Sequence, residues 1–306
     1  MLLTGLIVLC FWLFISSSLQ ASTNASPAGG ALAQSVVPTM SALIDLTIAN
    51  NGGSTQLDWS DYLSAASYAI HRSVNPFFEP TSGTLLTTVS GSTKTYTDNV
   101  GGIGNVNTNY FYIVVASAQS TSQYSNWVGE IDYALNNSNG AYNLIGIPFS
   151  PVSPANAASL ATQLGNVNTI LGWNRNTQSF KTFTPPNIGN FTFAFGDALF
   201  IELKSGAPTS VNVLGKLTKP GINLSPSGYN FLTMPLHCDE LTTASGVASD
   251  IGGVANLLRW NRGTQSFQAF TPPNIGDFAL TINNPFIVEL TASGPTTWPV
   301  ASDTCQ

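Results

Sequence analysis

Apolar and polar positions alternate in short runs along the first half of the chain. ALIDLTI, QLDW, SYAIHRS, TLLTTV, YFYIVVA and WVGEIDYAL, between Ala42 and Leu135, are β-branched or aromatic and are parted by NNGGS, TSGT and VGGIGN. Short runs of this kind, bounded by glycine-rich breaks, predict strands. Several of them with no helical period predict a β-sandwich over 37–135.

Beyond Leu135 the pattern changes and then repeats. WNRNTQSFKTFTPPNIGNF, Trp173 to Phe191, returns 87 positions later as WNRGTQSFQAFTPPNIGDF, Trp260 to Phe278. With Tyr142 set on Tyr229, the copies align without a gap to Leu203 and Leu290. Each opens with an apolar strand, NLIGIPF or NFLTMPL. Ala157, Leu160, Ala161 and Leu164 then fall on one helical face, as do Ala244, Val247, Ala248 and Ile251. Ser153 is the expected N-cap, with Pro154 in the first turn, and Gly165 and Gly252 end the helices. VNTILGW, SFKTFT, FTFAF and ALFIEL predict further strands, with a last one near Val211. These readings give repeat unit 1 at 142–217 and repeat unit 2 at 229–306, each one helix on a mostly antiparallel sheet. The hairpin is faintly similar to kelch-type strands, but two units cannot close a propeller. Units this small are marginal alone, so the copies are expected to pack on each other.

The segment 37–135 resembles a fibronectin type III domain of bacterial secreted proteins. Trp59 in QLDW matches the core tryptophan of the second strand and Tyr68 in SYAIHRS the aromatic of the third. TYTD at 95–98, then Tyr110 and Tyr112 in YFYIVVA, match the approach to the sixth strand and that strand itself, where one tyrosine makes a corner hydrogen bond. Ser125, Asn126 and Gly129 match the last strand. The resemblance covers about a third of the chain and implies a spacer or binding module, with no catalytic residues. The expected fold class is mainly β: a fibronectin type III-like β-sandwich followed by two tandem small α+β units.

Two readings of the repeated stretch compete. Structurally, Asn174 to Thr177 form a turn with positive φ at the third place (Asn176, or Gly263 in copy two), and Ser179 to Phe183 return as a strand. Phe180 and Phe183 differ by an odd number, so one enters the core and the other faces the neighbouring unit or solvent. Pro185 and Pro186 stop the strand, and Asn187 and Gly189 turn the chain. Functionally, aromatic rings beside amide and guanidinium groups suit sugars. The candidate binding residues are Trp173, Asn174, Arg175 and Phe183, with Trp260, Asn261, Arg262 and Phe270. Arg175 with Glu202, and Arg262 with Glu289, are expected as one ion pair per copy.

Composition narrows the function. Only 8% of residues are charged and the net charge is −6, against roughly 25% charged in ordinary soluble domains. Nine basic residues supply no cluster for nucleic acid. The apolar run Leu2 to Ile15 reads as part of a secretory signal over 1–25, although no basic residue precedes it, followed by a linker at 26–36. An uncleaved signal would be the only route to a membrane. The expected location is secreted or cell-surface. Removing the signal leaves Cys238 and Cys305, expected to form one disulfide worth about 4 kcal/mol in the chain-entropy model. Sequons stand at Asn24, Asn136, Asn190 and Asn223.

Catalytic signals are sparse. His71 is expected on an exposed strand position, and His237 adjoins Cys238, where neighbouring strand residues point apart. Asp58 and Asp61 flank Trp59 at a strand end. No zinc set, HExxH or GxSxG occurs, and no cofactor is called for. The main expectation is a non-enzymatic structural or adhesive protein, partnered by an extracellular glycan or another surface protein. The alternatives are a carbohydrate-binding accessory protein using the aromatic turns and, behind it, a polysaccharide or ester hydrolase.

Overall fold

The computed structural model describes residues 44–63, 65–99, 103–118 and 121–299. The expected signal and linker, and Cys305, lie outside them.

The described chain is mainly β. Eight strands build the first region: β1 (Leu46–Asn51), β2 (Ser54–Trp59), β3 (Ser67–Ser73), β4 (Leu85–Ser90), β5 (Thr95–Asp98), β6 (Phe111–Ala118), β7 (Thr121–Tyr124) and β8 (Val128–Ala134). β1-β2-β5 form one antiparallel sheet. β8, β6, β3 and β4 lie side by side in a second, with β7 also on β6.

The continuous apolar run of β6 has a direct cause: both of its faces are covered. Tyr112, Val114 and Ala116 pack with Leu46, Leu57, Trp59 and Tyr68 inside the sandwich. Phe111 and Ile113 turn the other way and join Phe149, Leu160, Ile170 and Phe183 of the first repeat in one core.

The first repeat contributes β9 (Tyr142–Gly146), β10 (Ser150–Ser153), α1 (Ala157–Leu164), β11 (Val167–Asn174), β12 (Ser179–Phe183), β13 (Ala198–Leu203) and β14 (Ser210–Lys216). Its own sheet runs β12-β11-β13-β9. The strand near Val211, expected inside the repeat, belongs instead to the sandwich: β14 pairs with β8 from Ser210↔Ala134 to Lys216↔Val128, and β10 pairs with β14. Without β14 the buried strand β8 would present a row of unpaired backbone groups.

The second repeat has β15 (Ile222–Asn223), β16 (Tyr229–Thr233), α2 (Ala244–Ile251), β17 (Val254–Asn261), β18 (Ser266–Phe270), β19 (Pro285–Leu290) and β20 (Thr297–Trp298). Its sheet, β16-β19-β17-β18, repeats the pairings of the first, while β20 pairs with β15.

Two local readings are corrected. α1 is capped by Asn156, whose side chain accepts from the Ser159 amide at 2.9 Å in a capping box. Ser153 is still held in β10 opposite Leu214. FTFAF forms no ladder; Thr192 makes a single bridge to Asn156. The four apolar residues expected on each helical face are buried, and Gly165 and Gly252 follow the helices at φ 71° and 74°.

Candidate functional site

The repeated stretch holds the two copies together. Trp173 Nε1 donates to the Tyr229 carbonyl at 2.7 Å, and Trp260 Nε1 donates to the Tyr142 carbonyl at 2.9 Å. Gln178 grips both backbone groups of Tyr229, and Gln265 grips both of Tyr142, at 2.7–3.1 Å. Each contact maps onto its counterpart by the same 87-residue offset, so the interface is a pseudo-twofold one. Positive φ falls at Gln178 and Gln265, 50° and 53°, rather than at the third turn position; that geometry presents the glutamine amides to the other copy. Asn174 and Asn261 are spent inside the turns, each accepting from two following amides. Trp173 stacks on Phe231 with centroids 4.9 Å apart, and Trp260 meets Phe200 edge-on at 5.4 Å. Phe180 packs against Phe231, so it faces the neighbouring repeat, while Phe183 and Phe270 are 0% and 1% exposed in the cores.

Of the expected binding set, Phe183 and Phe270 are buried in the cores, Trp173 and Arg175 bond the second repeat, and Asn174 bonds within its own turn. The expected ion pairs are also replaced. Arg175 bonds Asp197 at 3.2 Å and the Gly196 and Phe231 carbonyls, while Glu202 accepts from Tyr142 Oη and Asn168. Burial pushes the Asp197 carboxyl up and the Arg175 guanidinium down, opposed by their mutual attraction. Glu289 accepts from Asn256.

Copy two departs where it matters. The position matching Asp197 is Asn284, so Arg262 has no such carboxylate and is exposed. Its turn opens on a cleft of about 850 Å³ between the sandwich and the second repeat. Val106, Asn107, Asn109 and Asp132 line the sandwich side; Arg259, Trp260, Asn261 and Arg262, with Asn283 and Asn284, line the other. Tyr133 Oη donates to the Asn283 carbonyl at 3.0 Å, and Asn136 Nδ2 to the Arg262 carbonyl at 2.9 Å, tying the two walls together. Arg259 Nε is bonded to Gln268 and its guanidinium lies 4.6 Å over the Phe278 ring. Among the described residues, no carboxylate pairs with Arg259 or Arg262.

The acid on the sandwich wall is unusual. Asp132 is buried, and neither carboxylate oxygen has a hydrogen-bond partner of good geometry. Burial pushes it up to about 6, partly opposed by the Gly104 amide. Two residues earlier on β8, Glu130 is fully buried with both oxygens unpartnered. Burial first, then the Asp132 and Asp98 charges, push it up to about 8. Asp98 itself accepts from Arg72 at 2.7 Å and Tyr112 Oη at 3.0 Å.

The other candidates scatter. His71 is buried rather than exposed, bonded through Nδ1 to Thr84. His237 is buried against the Phe77 ring, and burial with nearby Lys219 pushes it down to about 4. Cys238 is buried and is not a free thiol. Asp61 pairs with Lys94 and accepts from Tyr68, and Asp58 accepts from Gln56. No described group of three or more His, Cys, Asp or Glu side chains could hold a metal, and no described helix is long and apolar enough to cross a membrane.

Of the eight expected binding residues, only Trp260, Asn261 and Arg262 reach the cleft. Asp132, Arg259, Asn283 and Asn284 were missed. A signal existed: Arg259, Asn283 and Asn284 stand where copy one has Gly172, Gly196 and Asp197, and Glu130 and Asp132 interrupt an otherwise buried strand.

No protein-family model and no curated protein matches the chain. Several solved structures are similar in part. Pectate lyase Pel3 from Pectobacterium carotovorum is 20% identical, with 28% of this chain and 25% of that one covered at a TM-score of 0.23. Pectate lyase PelI from Erwinia chrysanthemi is 23% identical, over 33% of this chain and 30% of that one, at 0.25. The chicken CNTN1 FN1–FN3 domains are 10% identical, over 83% and 95%, at 0.19. The chain thus spans about a third or less of the pectate lyases' length, and TM-scores of this size carry no argument about a shared site. The main expectation, a non-enzymatic structural or adhesive protein, is nonetheless corrected here. Four of the neighbours are pectate lyases, and its alternative, a carbohydrate-related role, is carried forward in its place.

Proposed function

We propose that this chain is a secreted or cell-surface protein that binds polysaccharide in the cleft between the sandwich and the second repeat. One observation carries the reading: a cleft of about 850 Å³ lined by Asn107, Asn109, Asn283 and Asn284 beside Trp260. Amides exchange donors and acceptors with sugar hydroxyls, and a ring face accepts sugar CH groups. The volume lies within the range of small-ligand sites. The sandwich is proposed to be a fibronectin type III module that forms one cleft wall. Cys238 and Cys305 are proposed to form a disulfide suited to that compartment.

Val106 lines the cleft and is 38% exposed, so Val106→Trp intrudes into it without entering a core. The reading predicts at least a tenfold loss of binding to a responding glycan at unchanged thermal stability. Binding that survives this plug places the ligand elsewhere.

A further inference from the structure

Resting on that glycan reading, we propose that the cleft takes an acidic polysaccharide, a sugar carboxylate seating against Arg262 and Arg259. The argument begins with the differences between the copies. In copy one the turn arginine is neutralised in cis by Asp197. In copy two the matching position is Asn284, which lines the cleft but brings no charge. A second guanidinium, Arg259, is added where copy one has Gly172, the residue over which Phe191 lies so closely that a Cβ would come within 2.7 Å of its ring. Arg259 takes over the ring contact that Lys181 makes in copy one, from the partner position of the same cross-strand pair, where copy two has Gln268. The wall of the second repeat therefore holds two guanidinium groups and no carboxylate. A guanidinium is a planar fork that matches a carboxylate through two parallel hydrogen bonds. Arg259 uses Nε and one terminal nitrogen on Gln268 and the Ala279 carbonyl, which fixes the group and leaves donors over.

The test titrates the full chain calorimetrically with a hexamer of galacturonic acid and with its carboxyl-reduced neutral form. The proposal predicts that the acid hexamer binds at least about tenfold tighter than the neutral one, as charge-assisted bonds require. Arg262→Gln and, separately, Asn284→Asp, which restores a carboxylate in cis, should each remove most of that preference. Because Arg262 is exposed, its variant folds independently of the outcome. Equal binding of both hexamers, unmoved by either variant, overturns the acidic assignment and leaves the glycan reading standing. Binding of neither hexamer, with a neutral glycan of another linkage captured and blocked by Val106→Trp, also overturns it; no binding to any glycan sinks both.

Discussion

The two copies of the repeated stretch share a sequence, a turn geometry and a set of hydrogen bonds, yet they meet different third neighbours. Copy one presents Arg175 to Asp197 and to the Phe231 backbone and is sealed. Copy two makes the same tryptophan and glutamine contacts, but Arg262 has no matching acid and faces the sandwich across a cleft. A duplicated element therefore supplied its own partner once, and the other half faces the cleft. The informative positions are the few at which the copies differ.

The largest effects should be alike in both copies. Phe183→Ala and Phe270→Ala empty matching core positions and should each cost about 3–5 kcal/mol by denaturant titration; a copy that tolerates the change is not packed as its twin is. Next, the arginines should part company. Arg175→Ala strands buried Asp197 and should cost about 3 kcal/mol, as loss of one partner of a buried pair does, whereas Arg262→Ala should stay within about 0.5 kcal/mol. Smaller again, Gln178→Ala and Gln265→Ala remove the glutamine bonds to a tyrosine of the other copy, whose carbonyl keeps its tryptophan donor, for about 1 kcal/mol each. The two losses should not add in the double variant if the interface opens as a unit.

Two titrations, negligible at some pH values, probe the contact with the sandwich. His237, pushed down to about 4, is neutral in the native state. Its contribution is present above the ordinary histidine value of 6.5 and is lost as pH falls from there through 4. The matching position in copy one is Ser150, so His237→Gln should flatten acid unfolding, and an unchanged curve would remove His237 from that junction. Glu130, pushed up to about 8 from 4.5, binds a proton in the native state that the unfolded chain has released. Stability should therefore fall as pH rises from 4.5 through 8, and Glu130→Gln should abolish that slope in Tm.

Much of this architecture was legible because local pattern and burial coincide. The alternation in β1 to β3, the apolar faces of α1 and α2, and the odd spacing of Phe180 and Phe183 each follow from one element's geometry. The site was less legible because it depends on contacts between elements. Trp173 and Trp260 read alike as half-open rings, and nothing local reveals that their indole N–H groups are spent on Tyr229 and Tyr142. The capture of β14 by the sandwich sheet was hidden for the same reason: Val211 to Leu214 have strand character whichever sheet they join. Asp132 reads as one polar position on a strand, and only the neighbouring repeat turns it into a cleft wall.

The most direct test of this division of labour measures stability and acidic-glycan affinity together for Arg175→Gln and Arg262→Gln. The account predicts a crossed result: Arg175→Gln lowers Tm with affinity unchanged in the folded fraction, and Arg262→Gln lowers affinity at least about tenfold with Tm unchanged. If both substitutions move the same quantity by the same amount, the two copies play one role and the account is wrong.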